Sequence, residues 1–226
     1  MKKFLVLVAV LSLGLMAWAD EKEDATDRLD AATKVLNQIM ATPDKGIPNE
    51  VLDGAKCIAV VPHLVKGGFV FGAKHGRGVA TCRTANGWSA PSFFTVTGGS
   101  FGAQIGVEGV DLVMMIMNDK GMQQLLNSKF QIGGEVSAAA GPVGRHASAD
   151  TDWKLNTEIL TYSRAKGAFA GATLEGAGVS QDSDAIEAIY GKDHTPRAIL
   201  TGKVPPPAAA QQFLATVRDA KTLAAK

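Results

Sequence analysis

The sequence predicts an α+β protein, in which a curved, barrel-like antiparallel β-sheet carries N-terminal and C-terminal helices. Two observations predict this class. Short β-branched or glycine-bearing runs follow one another from residue 57 to residue 176, separated by turn-forming residues. Helical spacing of apolar residues is concentrated before and after this region, so the helices flank the sheet and do not alternate regularly with its strands.

The N-terminus has the features of a secretory signal peptide. Two lysines precede an apolar run, and Ala17-Trp18-Ala19 forms a small-x-small cleavage site. The apolar run is short for a membrane span, and the polar stretch DEKEDATD follows it directly. We therefore expect residues 1–19 to be removed and residues 20–226 to form a single exported domain. Its expected location is the periplasm or the medium, peripheral to a membrane.

The elements of the domain are predicted in chain order. Residues 24–41 have apolar residues at helical spacing and acidic residues in the first turns, which indicates an amphipathic helix, and a short helix follows at 49–55. Strands are expected at 57–62, 67–73, 78–83, 92–97, 101–108, 110–118, 134–141, 158–165 and 168–176, with HGRG and NDKG among the turns. Further helices are expected at 122–130, at 183–191 and, after three prolines, at 208–224. The run VDLVMMIM predicts a strand that is buried on both faces.

Composition argues against several classes of protein. The chain has 23 basic and 22 acidic residues, and loss of Lys2 and Lys3 would leave the mature charge near zero. A nucleic-acid-binding protein normally has a clear basic excess, so nucleic acid is not expected as a partner. The four histidines are scattered and no C-x-x-C is present, so neither a metal nor a cofactor is expected.

Cys57 and Cys82 are the only cysteines. Export to an oxidising compartment favours a disulfide between them. A simple meander of strands 57–62, 68–73 and 78–83 opposes it, because the two cysteines would lie near opposite ends of parallel strands. A disulfide needs Cα atoms within about 7 Å of each other. The sequence leaves both states open.

One short motif raises the question of catalysis. Gly98-Gly99-Ser100-Phe101-Gly102 matches G-x-S-x-G, the nucleophile elbow of serine hydrolases, in which a helix follows the serine at once. Here apolar residues alternate with small or polar ones over 101–108, and three glycines fall between residues 102 and 109, which predicts a strand. A hydrolase is therefore the least favoured function, and the chain is not expected to be an enzyme.

Ordered motifs along most of the chain resemble one known family. IPNEVLDGAKCIAVVP is similar to its I-P-x-x-x-L-x-x-A-K opening, KGGFVFGAKHGRGVATCR to its K-x-G-F strand and turn, and NGWSAPSFF to its tryptophan-serine-x-proline signature. GGSFGAQIGVEGVDLVMMIMN, GPVGR and YSRAKGAFAGATLEG match three further blocks in order. From Ile47 to about Val217, the chain thus resembles the SYLF lipid-binding domain, also called the Ysc84-type actin-regulator domain.

The resemblance implies a non-enzymatic domain that binds phospholipid membranes or single lipids, with anionic lipids such as phosphoinositides bound by eukaryotic relatives. It also implies that the GGSFGAQIG stretch is structural. Residues 20–30 are acidic, so the basic amphipathic helix that precedes the domain in some eukaryotic members is not expected here. Export would separate the chain from actin, so actin is not an expected partner.

The candidate lipid-binding residues are basic side chains at predicted turns, together with one tryptophan. Cations beside exposed apolar groups neutralise lipid phosphate, and each contributes about 1 kcal/mol at an anionic surface. For each cation the alternative is a solvated turn residue, and Glu108 or Asp111 is a candidate ion-pair partner for Arg145 or Arg164. The alternative function is a structural or protein-interaction module of the cell envelope without lipid specificity. The candidates are Lys66, Lys74, Arg77, Arg83, Trp88, Arg145, Arg164 and Lys166.

Overall fold

The structure is a computed structural model that describes residues 2–42, 46–68, 71–101, 106–143, 157–163, 174 and 176–224. Within these ranges it describes only the backbone of residues 2–19 and of a few positions near strand ends and at the C-terminus. The α+β class predicted from the sequence is confirmed. The helices are α1 (Lys2–Met40), α2 (Asn49–Gly54), α3 (Asp119–Leu125), α4 (Ser183–Tyr190), α5 (Pro196–Leu200) and α6 (Gln211–Ala224), with a 3-10 turn at Ala208–Ala210.

Helix α1 is longer than the amphipathic segment that the sequence predicts. It begins at Lys2 and runs without interruption to Met40, because no proline occurs before Pro43. Its buried residues begin at Ala25 and recur at helical spacing to Met40. Among the helices in the described ranges, none is long and apolar enough to cross a membrane.

Nine described strands form one sheet, in the order β6-β9-β4-β2-β1-β5-β8-β7, with the short β3 paired to β2. All pairs are antiparallel except β7–β8, which is parallel. The long connection between those two strands permits this direction, whereas a hairpin turn would not. The strands are β1 (Cys57–Gly68), β2 (Phe71–Thr84), β3 (Gly87–Trp88), β4 (Ser92–Phe101), β5 (Gly106–Ile116), β6 (Lys129–Gln131), β7 (Ala138–Ala140), β8 (Ile159–Ser163) and β9 (Gly178–Gln181).

The sheet curls strongly because its two edge strands are close in the chain. Strand β6 ends at Gln131 and β7 starts at Ala138, and a β-bridge joins Ile132 to Val136 within the connection. The short connection holds the opposite edges of the sheet near each other. The result is a half-barrel, as the predicted barrel-like curvature requires.

Each face of the sheet has its own hydrophobic core. Helices α1, α2, α4 and α6 cover one face, where Val113 and Met115 of β5 are buried. Leu112, Met114 and Ile116 point to the other, concave face, where α3 and the connection after β6 complete a second core. The prediction that VDLVMMIM is buried on both faces is therefore confirmed.

The first hairpin corrects two expectations. HGRG was expected to be a turn, but residues 75–78 lie inside β2, which pairs with β1 from Cys57↔Cys82 to Gly68↔Gly72. The glycines allow close packing: a Cβ on Gly78 would lie 2.5 Å from Phe94 Cζ and 2.8 Å from the Val60 carbonyl oxygen. The predicted meander is therefore wrong. Cys57 and Cys82 are direct neighbours with Cα atoms 3.9 Å apart, and they form a disulfide.

The region after β5 also differs from the prediction. NDKG is not a turn: the Asn118 side chain accepts a hydrogen bond from Gly121 N and caps α3. The helix expected at 122–130 ends at Leu125, because residues 129–131 pair with β9 instead. Strand β9 itself, after Ala177, was not predicted, and most of the strand expected at 168–176 lies outside the described residues.

Candidate functional site

Several strands begin or end together at one end of the sheet, which we call the hairpin end. It is formed by the last residue of β1, Gly68, the first of β2, Phe71, the last of β4, Phe101, and the first of β5, Gly106. The antiparallel registers place these residues side by side, with Gly68 opposite both Gly72 and Gly106. Two of the predicted lipid-binding residues, Lys66 and Lys74, lie here.

Lys74 is a buried cation on the concave face of the sheet. Only 4% of the residue is exposed, although it is near the end of β2. Its side chain runs along β4 beside Gly98, where a Cβ would lie 2.9 Å from Lys74 Cε and 3.1 Å from Ala177 Cα. The glycine thus makes room for the lysine.

The backbone register places a second lysine next to Lys74. Lys66 of β1 is directly opposite Lys74 in one neighbouring strand and directly opposite Glu108 in the other. Residues that are directly opposite in an antiparallel pair share a face of the sheet. A row across three strands therefore contains two cationic positions and one anionic position.

Asp111, the other acidic residue in this apolar strand, has a structural partner. Its carboxylate accepts a hydrogen bond from the backbone N–H of His63 at 3.0 Å. His63 lies where the β1 register shifts and has a positive φ of 51°. The hydrogen bond from His63 to Asp111 thus stabilises a β-bulge, and the sequence did not indicate this role.

Arg77 is not at a turn and does not join the two lysines. It lies within β2 on the helix-covered face, where it contacts Glu21 Oε1 at 2.6 Å, Asp24 Oδ2 at 2.7 Å and Asp182 Oδ2 at 3.1 Å. Arg28 contacts the same Asp24 and Asp182 carboxylates at 2.7 and 2.8 Å. These five side chains form a charged cluster that joins α1, β2 and the start of α4.

The cluster keeps Asp182 ionised. Burial opposes ionisation, but the hydrogen bond and charge of Arg28, the Ala185 N–H and the charge of Arg77 outweigh it and lower the pKa of the carboxyl. Asp182 also caps α4 through that Ala185 N–H. The ion pairs of Arg77 are thus part of the fold, and the predicted turn position of this residue is wrong.

Arg83 and Trp88 are far from the hairpin end. Arg83 is nine positions along β2 from Lys74, which is about 30 Å along a strand. The Arg83 guanidinium donates to the carbonyl oxygens of Ala55 at 2.9 Å and Leu52 at 2.7 Å, and lies 4.5 Å from the centre of the Trp88 ring. These contacts hold the end of α2 against the sheet.

The remaining three candidates, Arg145, Arg164 and Lys166, lie outside the described residues. The described chain stops before them at Val143 and at Ser163. Strands β7 and β8 run in the same direction, opposite to β5, and therefore lead towards the hairpin end.

The backbone at Ser100 is that of a strand. Ser100 is in β4, directly opposite Gly72 of β2, and the next described element is strand β5. A nucleophile elbow requires a strand-to-helix turn at the serine, and position 100 is strand backbone paired to β2. The strand predicted at 101–108 instead falls on the last residue of β4 and the start of β5, and residues 102–105 lie outside the described residues.

A cleft of about 440 Å³ lies at the seam between the edge strands, lined by residues 132–138, Lys120 and Glu158. The Glu158 carboxylate accepts from the Ser137 N–H at 2.7 Å, from the Ser137 hydroxyl, and from Lys120 Nζ at 3.0 Å. Burial opposes ionisation, but these donors lower the pKa of Glu158 to about 2. No sequence pattern indicated this site, because its residues come from three separate segments. Within the described ranges, no cluster of His, Cys, Asp or Glu could hold a metal ion.

Comparisons with known proteins give consistent matches. The model of the Ysc84 family, described as Las17-binding protein actin regulator, matches residues 97–220. Protein YSC84 of Saccharomyces cerevisiae is 35% identical over 193 residues, covering 81% of this chain and 41% of that protein. SH3 domain-containing YSC84-like protein 1 of Homo sapiens is 33% identical over 173 residues, covering 76% and 50%. The chain thus spans about half or less of the length of these relatives.

Proposed function

The chain belongs to the Ysc84 family of Las17-binding protein actin regulators, and from that premise we propose that it binds anionic phospholipid membranes without catalysis. The hairpin end of the sheet is the surface that meets the lipid. Basic residues there neutralise lipid phosphate, and neighbouring apolar side chains enter the acyl boundary.

The pairing of Lys66 with Lys74 carries this proposal. Residues directly opposite each other in an antiparallel pair share a face of the sheet, so the register brings two lysine positions together at the hairpin end. Each basic residue that reaches the anionic surface contributes about 1 kcal/mol of attraction. Arg145, Arg164 and Lys166 add to this attraction in the proposal.

For Arg77, Arg83 and Trp88, a lipid-binding role stays a prediction from the sequence. Each of them has contacts that stabilise the fold. Arg77 forms ion pairs, and Arg83 donates hydrogen bonds to helix carbonyl oxygens and stacks on the ring of Trp88. The proposed mechanism does not depend on these three residues.

We extend the proposal to export, with cleavage after Ala19 and a location in the periplasm or the medium beside a membrane. The fully buried disulfide between Cys57 and Cys82 supports an oxidising compartment. Cleavage would leave Glu21 and Asp24 in place to bind Arg77. The acidic residues that follow Ala19 would then occupy the first turn of the shortened helix, where negative charge is favourable.

A protein-interaction module is the second candidate. The family is described by binding to a protein partner, Las17, and by actin regulation. In an exported chain the partner would be a different protein of the cell envelope. Failure to bind any vesicle would favour this function.

Vesicle co-sedimentation tests the proposal. The purified protein is mixed with vesicles of phosphatidylcholine, with or without phosphatidylglycerol, at low and at high salt. We expect binding that requires phosphatidylglycerol and weakens with salt, because exposed charges are screened over about 10 Å at 0.1 M salt. Binding that ignores both variables would overturn the electrostatic mechanism.

A further inference from the structure

We propose that residues 20–24 of α1, which we call the acidic segment, compete with anionic lipid for Arg77. Two carboxylates of this segment, those of Glu21 and Asp24, lie against the Arg77 guanidinium, where a lipid phosphate would bind. The competition rests on the proposed function, since it weakens the membrane binding proposed there. The contacts of the charged cluster fall into an inner layer, which holds the fold, and an outer layer, which a phosphate replaces.

The inner layer is a buried ion pair. The side chains of Arg28 and Asp182 are only 5% and 10% exposed, and they contact each other at 2.8 Å. The Arg28 guanidinium also lies 5.4 Å from the centre of the Phe93 ring. Separating a buried pair leaves a charge without compensation and is strongly destabilising. This pair therefore stays closed when a membrane binds.

The outer layer is accessible to solvent. The side chains of Glu21, Asp24 and Arg77 are 30%, 47% and 34% exposed, and Arg77 contacts the two carboxylates at 2.6 and 2.7 Å. Exposed ion pairs stabilise a protein only slightly, and these carboxylates turn into water by side-chain rotation alone. No residue of the acidic segment is buried, whereas Ala25, which follows it, is. Exchange of the two carboxylates for lipid phosphate therefore leaves the hydrophobic core intact.

The position of Arg77 brings it within electrostatic range of the hairpin end. Lys74 is three positions away along β2, about 10 Å. His75 and Ala73 are on the same face as Arg77, nearer to the hairpin end, and both are exposed. Screening at 0.1 M salt has a range of about 10 Å, so an anionic surface at the hairpin end attracts an unoccupied Arg77 and repels the acidic segment.

The charge of the cluster determines the direction of the effect. Its two arginines and three carboxylates have a formal charge of −1, which becomes +1 when Glu21 and Asp24 are neutral. A cluster that opposes an anionic surface thereby becomes one that attracts it.

Co-sedimentation of the full chain with vesicles of phosphatidylcholine and phosphatidylglycerol provides the test. The test variant carries Glu21→Gln with Asp24→Asn. The matched control carries Glu23→Gln with Asp30→Asn, at two exposed positions of the same helix. Both variants lose two negative charges, so a general effect of net charge is the same in each. We expect the test variant to bind about fivefold more tightly than the control, which corresponds to about 1 kcal/mol for one freed cation.

Two further variants identify the cation and allow for misfolding. Arg77→Gln should weaken binding about fivefold when added to the test variant, and clearly less when added to the control. Where melting shows that the test variant does not fold, Glu21→Gln replaces it, with Glu23→Gln as its control. The ion pair of Glu21 is with Arg77 and leaves the inner layer untouched, and the expected gain is about twofold, for about half of that attraction.

The outcomes separate the competition from the proposed function. Tighter binding by the test variant than by the control supports the competition, even where the wild type does not bind. Equal or weaker binding by the test variant overturns it, and the cluster is then purely structural; binding by the wild type would still support the membrane function. Equal effects of Arg77→Gln in the two backgrounds would also overturn it. Failure of the wild type and of both variants to bind any vesicle overturns both proposals.

Discussion

Reduction of the Cys57–Cys82 disulfide should destabilise the protein by an amount that its position in the chain predicts. The two cysteines are 25 residues apart in the sequence. The loop-entropy relation gives about 3.5 kcal/mol for a loop of this length at 25 °C. For a domain of this size, about 2–4 °C of melting temperature corresponds to each kcal/mol, so the expected loss is roughly 7–14 °C.

The measurement compares oxidised and reduced wild-type protein, because reduction removes no side-chain atoms. Both cysteines are fully buried, so the disulfide is reduced in denaturant and the protein is refolded with reductant present. Thiol titration then establishes that reduction is complete. Urea unfolding gives the free energy of each form, and a variant with Cys57→Ala and Cys82→Ala controls for other effects of the reductant.

Equal unfolding midpoints for the oxidised and fully reduced forms would refute the reasoning. Such a result would show that closing the loop between the two cysteines does not constrain the unfolded chain enough to change the stability. A large loss on reduction would instead mean that the fold needs an oxidising compartment, as the proposed export requires.

Three further predictions concern stability. Gly78→Ala should lower the free energy of unfolding, measured in urea, by about 1–3 kcal/mol, because the new Cβ would clash with the Val60 carbonyl oxygen and the Phe94 ring in a packed core. Gly99→Ala is the matched control, because no such clash occurs there. Equal losses in the two variants would contradict the predicted clash at Gly78. The pKa of Asp182 is lowered in the folded state, so its ion pairs stabilise the protein at pH values above the unfolded pKa of about 3.9. This contribution is lost as the pH falls through the folded pKa. Asp182→Asn should therefore melt at a lower temperature than the wild type at pH 7, and its melting temperature should fall less on acidification. The pKa of Glu158 is about 2, against an ordinary 4.5, so its contribution to stability should be lost as the pH falls between these two values. The melting temperature of Glu158→Gln should therefore depend less on pH in this range. A dependence equal to that of the wild type would refute the prediction.

Local patterns in the sequence were sufficient to predict which segments of the chain are helices and which are strands, for most of these elements. The run VDLVMMIM had to be a strand covered on both faces, because no arrangement with one exposed face accommodates apolar residues at nearly every position. The spacing of apolar residues after Asp24 likewise predicted the buried part of α1. The order of the motifs identified the family, since many short blocks in one sequence order do not arise by chance.

The partners of the charged residues and the strand register were decided only by the tertiary structure. Arg77 is 105 residues from Asp182 in the chain and 56 from Glu21, so no local pattern links them. The sequence predicts a turn at Gly76 and Gly78. In the structure both glycines lie within β2, where Val61, Leu64 and Phe94 pack too closely against the backbone for a side chain. The same distant packing placed Cys57 opposite Cys82 and put Lys74 beside Gly98. Sequence patterns report the conformation that a short segment prefers, whereas register and ion pairs depend on which distant segments pack together.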